Sequence, residues 1–472
     1  MISRETEPPE IGGVELELSA AVQGGRNLAR HEGQVVFVTG GIAGESARVS
    51  DLVRRRGYLE GAAVSISRSS PLRVTPPCQF FGENGRRRGA LPMAPASAGG
   101  VCGGCQYQHI DYTGQQMLKR TVLADTLRRV GKIVDPPVGA PIPSPSSYAY
   151  RNKAAWLVTE EGELAYHEAR SRTAVPITEC LLLTPSLHAV FDAVSAASAE
   201  IGLAGLARSL EARVLPDPEG ADMGALVLDL APSTTSHEAE ALAEALADCC
   251  PIVRSVSRRA LPATEGTEEA RPLLLFGEEY LETQFLGERL SIAPTAFFQV
   301  NTAVAEALAR YVLDQCGTLT DRQALDVYSG VGLFTIPLAR RADAVISLEL
   351  DAGAVVAARR AIAAAKLENV TLLQGDAARN LKAILPGTMQ CVVVDPPRTG
   401  CSPETLRQLA RIKAPRLIYV SCDAATLARD LRVLLDSGYE LETVQPFDLF
   451  PQTAHIESVT ALRLPKKRRS RS

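Results

Sequence analysis

Apolar positions alternate with polar ones in short runs near the start of the chain, whereas from about residue 291 they recur in strand-length blocks separated by helical spacing. Near the start, Val14 to Leu18, Val35 to Val38, Arg48 to Val53 and Ala63 to Ile66 read as strands, with Gly24-Gly25 and Gly40-Gly41 as turns between them. A small OB-like β-barrel is predicted for residues 1–75. Next comes an Arg/Gly/Ala/Pro-rich stretch and the run CGGCQYQH from Cys102 to His109. Leu123, Leu127 and Val130 then stand at i, i+4 and i+7, which predicts a helix within 112–131 that packs its apolar face on another domain and stops at Gly131. Residues 76–290 form a mixed α+β region, with strands at Tyr150 to Val158, Ala225 to Leu230 and Pro272 to Phe276.

Residues 291–465 alternate strand and helix, the pattern of a parallel sheet with crossover helices in a Rossmann-like α/β domain. Asn301 precedes a helix carrying Val304, Leu308, Tyr311 and Val312 on one face. Strands are predicted at Ala324 to Val327, Val345 to Leu348, Val370 to Leu373, Val392 to Val394 and Leu417 to Val420. A functional side chain stands at or just past each one: Asp326, Glu349, Asp376, Asp395 and Cys422. Open α/β sheets bind ligands outside the carboxyl ends of their strands, so these five are expected on one rim.

Composition narrows the class. A chain of 472 residues calls for two or three domains, and its apolar runs stay short of the roughly 20 residues a membrane span needs. Met1 to Glu10 carries acids and two prolines in place of a signal peptide, and ten cysteines without an export signal suggest reduced thiols, metal ligation or catalysis. A cytoplasmic monomer with no membrane partner is expected. The net charge of -4 offers no global attraction for nucleic acid, which leaves local patches at Arg54 to Arg56, Arg86 to Arg88 and the basic tail 466–472.

The stretch LDVYSGVGLFT, Leu325 to Thr335, is a strand running into a glycine-rich turn and a helix. Gly330 and Gly332 let backbone approach a ligand, and Glu349 follows at the distance where an acid can hydrogen-bond a ribose. A nucleoside cofactor is implied. Thr335 replaces the third glycine of a dinucleotide fingerprint, which counts against hydride transfer. Asp376, in QGDA, suits an adenine edge, as in the class I methyltransferases this stretch resembles, and equally a helix N-cap.

In VVVDPPRTG, Val392 to Gly400, two prolines stiffen the turn after Asp395, and Arg398 stands where amine methyltransferases usually carry an aromatic residue. Cys422, in YVSCDAATLARDL, lies between a strand and a helix, where the helix dipole is expected to favour its thiolate. The last strand is entered through FPQTAHIE, ending at Glu457.

Taken in order, TAFFQVN at Thr295 to Asn301, DVYSGVGLF, DPPR, SCDAATLARD and FPQTAHIE resemble the RNA 5-methyluridine methyltransferases, S-adenosylmethionine-dependent enzymes of transfer RNA and 23S ribosomal RNA. The resemblance implies that Gln299, Tyr328, Glu349 and Asp395 contact the cofactor and that Phe297 stacks near the target base, whose edge Asp395 also holds. Cys422 would be the nucleophile and Glu457 the base. Ala424 and Cys401 depart from the commonest pattern without removing a reacting group.

The N-terminal region is similar to the TRAM domain of RNA-modifying enzymes through Gly24-Gly25, the run GQVVFVTGGIAGE and the Arg-rich strand after it. Cys78, Cys102, Cys105 and Cys180 could meet at one metal, and spacing alone leaves zinc open. The ribosomal branch of the family implies a [4Fe-4S] cluster at these four positions, although an insertion from about Phe80 to Gly100 separates Cys78 from the CGGC run. Barrel plus cluster favours structured 23S rRNA, with tRNA as the alternative target and a noncatalytic RNA-binding protein or an amine-directed methyltransferase as the competing functions. Cys249, Cys250, Cys316 and Cys391 read as core thiols.

Overall fold

The computed structural model describes residues 13–83, 86–87, 101–259 and 272–465. The N-terminal ten residues, Arg88, most of the insertion before Gly100 and the basic tail lie outside them. The chain divides into two compact units, the first drawn from Met1–Leu118, His167–Val175 and Gln452–Ala454, the second from Lys119–Tyr166, Pro176–Pro451 and His455–Ser472.

In the first unit the strands Val14–Glu17, Ser46–Arg55, Tyr58–Arg68, Gln34–Thr39, Arg26–His31 and Ala20–Val22 neighbour one another in that order. Their alternation buries Leu16, Ala29, Val36, Val38, Val49 and Leu59 on one face. No ladder joins Val14–Glu17 to Ala20–Val22 among the described residues, so the strands of the expected OB-like barrel form a sheet with two edges. The TRAM assignment is withdrawn with it. Alternating residues and paired glycines specify strands and turns, and closure depends on edge pairing that they do not encode.

The expected metal cluster is also corrected. Among the described residues, no three His, Cys, Asp or Glu side chains come together in a way that could hold a metal ion, whether iron or zinc. Cys78, Cys102 and Cys105 belong to the first unit and Cys180 to the second, all half-buried. The Cys102 sulfur accepts from the Gly104 N–H at 3.4 Å within its own turn. A CxxC pair supplies only two ligands, and the others stand at sequence distances that do not fix their place in space.

The second unit holds two large sheets and the small hairpin Leu281–Phe285 with Glu288–Ile292. One runs through Lys153–Val158, Ala207–Pro216, Asp222–Leu230, Val253–Arg258 and Leu273–Gly277, neighbours in that order. Only Asp222–Leu230 and Val253–Arg258 are parallel, as their crossover helix Ser236–Cys249 requires. That helix starts in a capping box between Thr235 and Glu238.

The other sheet contains β1 (Gln323–Val327), β2 (Ala344–Glu349), β3 (Val370–Gln374), β4 (Met389–Val394), β5 (Arg416–Ser421), β6 (Glu440–Phe447) and β7 (Glu457–Arg463), in the order β3-β2-β1-β4-β5-β7-β6. The first five are mutually parallel, and β7 runs antiparallel to both β5 and β6. This is the predicted Rossmann-like α/β core. Central strands covered on both faces need continuous apolar residues, and Cys391 to Val394 are fully buried. No helix among the described residues is long and apolar enough to cross a membrane.

Candidate active site

Strand direction assembles the candidate reacting groups. The carboxyl ends of β4 and β5 lie at one rim, where Asp395 and Cys422 follow their last residues. Because β7 runs the other way, its first residue reaches that same rim: Ser458 pairs with Ser421, and Glu457 stands beside it. Asp395, Cys422 and Glu457 therefore leave three neighbouring strands, spaced about 4.8 Å apart.

Their electrostatics reverse one expectation. Cys422 is not activated by the helix that follows; burial, then Glu457 and then Asp395, push its thiol up to about 12, with Arg398 opposing. The helix begins at Ala424, two residues after Cys422, and its N-cap Asp423 accepts from the Ala425 and Thr426 N–H groups at 3.0 and 2.9 Å. A carboxylate thus occupies the positive end of the dipole before the thiol can use it. Burial raises Asp395 to about 7. Glu457, only 5% exposed, is raised well above the usual carboxylate range by burial and then by Asp395.

A buried clamp fixes two of these groups. Asp430, on the helix after Cys422, accepts from the Tyr419 hydroxyl at 2.6 Å, from the Cys401 N–H at 2.8 Å and from the Arg429 guanidinium. Tyr419 lies on the strand leading to Cys422, and Cys401 closes the loop that begins with Asp395. Gly400 fits between them at φ +74°, where an added Cβ would stand 2.6 to 2.7 Å from the Arg429 and Asp430 side chains. The segment before β7 is anchored too: the buried Lys119 ammonium donates to Asp448 at 2.6 Å and to the Phe450 carbonyl at 2.9 Å, and Tyr150 donates to the Pro451 carbonyl.

The other half of the rim is built for a ligand. Tyr328 adopts φ +65° and reaches Thr405 at 3.4 Å, its phenol pushed up to about 12 by burial. Gly330 follows at φ +56°, and an added Cβ would meet nothing within 4 Å, so its backbone faces open space. Its N–H donates to Glu349 at 2.8 Å, and the other Glu349 oxygen accepts from the Leu350 and Asp351 N–H groups, both at 2.7 Å. Asp376 is exposed and caps the short helix Ala377–Leu381 through the Arg379 N–H. Gln299 is half-buried on the segment after β-strand Glu288–Ile292, and Phe297, 75% exposed, projects from the same segment.

Asp326 departs from the predicted rim. It lies inside β1, fully buried, with Thr335 donating to it at 2.6 Å and a hydroxyl chain continuing through Ser347 to Ser329. Its other carboxylate oxygen has no hydrogen-bond partner among the described residues, and burial holds its carboxyl up at about 7. Sequence reading assigned no role to the Tyr419–Asp430 clamp, although both residues lie within YVSCDAATLARDL, nor to the Lys119–Asp448 pair, whose members are 329 residues apart.

Comparison with known proteins places the chain in a family. Residues 278–464 match the family model described as tRNA (Uracil-5-)-methyltransferase. An uncharacterized RNA methyltransferase of Gloeobacter violaceus is 32% identical over 98% of this chain and 99% of its own length. The chain belongs to the RNA methyltransferase family. Another such RNA methyltransferase, from Caldanaerobacter subterraneus, is 30% identical over 94% of this chain and 96% of its own. Among solved structures, the Pyrococcus abyssi tRNA (uracil-54, C5)-methyltransferase in complex with S-adenosyl-L-homocysteine shares the fold, with a TM-score of 0.68 and 22% identity over 95% of this chain and all of that one. The protein is thus an S-adenosylmethionine-dependent RNA (uracil-5-)-methyltransferase. The family match leaves the N-terminal sheet outside it.

Proposed function

We propose that this RNA methyltransferase methylates carbon 5 of a uridine in transfer RNA, with Cys422 as the covalent nucleophile and Glu457 as the base. The observation that carries the reading is the arrival of a thiol and two carboxylates at one rim from three adjacent strands, one of them antiparallel. The open backbone at Gly330 and the Glu349 carboxylate beside it suit a nucleoside cofactor. Gln299, Tyr328, Gly330, Glu349, Asp376 and Asp395 would hold S-adenosylmethionine, which when bound supplies an electrophilic methyl group.

Carbon 5 of uracil is a poor nucleophile until carbon 6 gains an electron pair. The Cys422 thiol gives its proton to a neighbouring carboxylate; Asp395, raised to about 7, is partly ionised at neutral pH and is placed to take it. The sulfur then bonds carbon 6, making an enolate whose carbon 5 would be nucleophilic enough to accept the methyl group that bound S-adenosylmethionine would supply, the cofactor's sulfur leaving as a neutral thioether. Glu457 in its ionised form removes the proton left on carbon 5, the bond from carbon 6 to sulfur breaks, and Cys422 leaves as thiolate. Phe297, exposed on the segment that also carries Gln299, would stack on the uracil, which must leave any helical stack to reach Cys422.

Transfer RNA is favoured over 23S rRNA because the matching family is named for it, while the case for 23S rRNA rested on the TRAM and cluster assignments. RNA carrying 5-fluorouridine should trap a covalent complex with the wild-type protein and none with Cys422→Ala. An adduct with that variant would remove Cys422 from the role. Mass mapping of 5-methyluridine in tRNA and 23S rRNA from cells lacking the protein should show the loss in tRNA; a loss confined to 23S rRNA would reverse the target.

A further inference from the structure

We infer that Arg213, a residue of the central sheet, is a positioning residue that sets Phe297 for the target base. The inference rests on the reading of Phe297 as the stacking residue. Arg213 sits in the strand Ala207–Pro216 and is 1% exposed, although its side chain carries a charge. One guanidinium nitrogen donates to the Ala296 carbonyl at 2.6 Å, immediately before Phe297. The other two nitrogens have no hydrogen-bond partner among the described residues. A buried guanidinium with one bond is a poor stabilising device, because desolvating the charge costs more than a single hydrogen bond returns. An apolar residue of similar length would fill the same space more favourably, so packing alone does not account for arginine at this position.

What the arginine does hold is the segment that carries two proposed contacts. Just before the adjacent strand Lys153–Val158, Asn152 holds the same segment. The Asn152 amide donates to the Gln299 carbonyl at 3.1 Å, and its backbone N–H donates to the Val300 carbonyl at 2.9 Å. Arg213 pairs with Lys153 across the ladder, and the Val214 N–H donates to the Asn152 carbonyl at 2.9 Å. Two neighbouring strands of the central sheet thus grip three carbonyls of a five-residue stretch, 296, 299 and 300. Phe297 and Phe298 lie between the grips, Phe298 buried and Phe297 turned outward. The donor on Ala296 is the only one of the three on the Phe297 side, so Arg213 governs the direction in which that ring leaves the surface.

A double-mutant cycle with Phe297 tests this. Arg213→Met should raise the KM for RNA about tenfold and slow capture of 5-fluorouridine RNA, with kcat at saturating RNA within about threefold of wild type. Arg213→Lys, which keeps a donor for the Ala296 carbonyl, should recover most of the affinity. In a Phe297→Ala background, Arg213→Met should add less than twofold, since the ring it positions is gone. Multiplicative effects of the two substitutions, or an unchanged KM in Arg213→Met, would overturn the inference. So would Arg213→Lys behaving as Arg213→Met while both melt at the wild-type temperature. If wild-type protein captures no fluorouridine RNA, the uracil reading fails instead, and the cycle says nothing against Arg213.

Discussion

The two halves of the catalytic rim treat their acids differently. On the cofactor side, Glu349 accepts from three backbone N–H groups and Asp376 from one, so each carboxylate is held in place by the loop that carries it. On the reacting side, no donor among the described residues reaches the carboxylates of Asp395 or Glu457, and both are raised by burial. The first arrangement keeps a charge ready for a ligand. The second withholds charge until the chemistry needs it, at the expense of a thiol that starts as S–H. The lesson is that a binding carboxylate and a reacting carboxylate can be told apart by their donors, even on one rim of one sheet.

Removing the unsupported charge is the strongest way to break that comparison. Glu457→Gln should still form the carbon–sulfur bond yet stall at elimination, lowering turnover by about 10²–10⁴-fold while a covalent complex accumulates with ordinary uridine RNA. Turnover within tenfold of wild type, and no adduct, would place the base elsewhere.

Next in size is the pH profile. Asp395, raised to about 7, and Glu457, raised well above the usual carboxylate range, are protonated in acid, and Cys422 at about 12 remains a thiol. The single-turnover rate should therefore climb as pH rises through 7, by about tenfold per unit on the acid side. Asp395→Asn should remove the inflection near 7, and a rate that falls between pH 6 and 8 would contradict this ordering.

On the well-supported side, Glu349→Gln loses an oxygen acceptor and a charge, and calorimetry should show S-adenosylmethionine binding weakened by about 10-fold or more. Unchanged affinity would take Glu349 out of the cofactor site.

The smallest effect separates stability from catalysis. Asp326 is raised from 3.8 to about 7, so its protonated form stabilises the fold below about 3.8, and that contribution is lost as pH rises to about 7. Asp326→Asn should therefore gain stability relative to wild type between those limits and keep the gain above them, by no more than about 4 kcal/mol at pH 8. Equal denaturant midpoints for the two proteins at pH 8 would show that the buried carboxyl carries no such cost.

Much of the rim was legible because strand and helix periodicities are local. Glu349, Asp395 and Cys422 follow apolar blocks that can only be buried strands, and the glycines at 330 and 332 announce a close approach. The protonation of Cys422 was not legible, because the carboxylates that oppose ionisation arrive from residues 395 and 457 through strand order and direction. Asp326 was misplaced since a carboxylate inside a strand and one just past its end differ by a single residue of register. The cysteine grouping failed for a related reason: Cys180 is joined to the CGGC run by no local pattern. Arg213 lies in an alternating run, ARSLEARVLP, in which nothing marks one arginine as buried.

The antiparallel strand β7 also has a consequence for biosynthesis. It inserts between β5 and β6, both of which leave the ribosome earlier, and it brings the proposed base with it. A nascent chain that has emerged only as far as β6 carries the thiol and the cofactor loop but has a gap where two edges await pairing. Completion of the sheet and completion of the catalytic set are then one event, so the protein can begin to modify RNA only after its tertiary structure has closed.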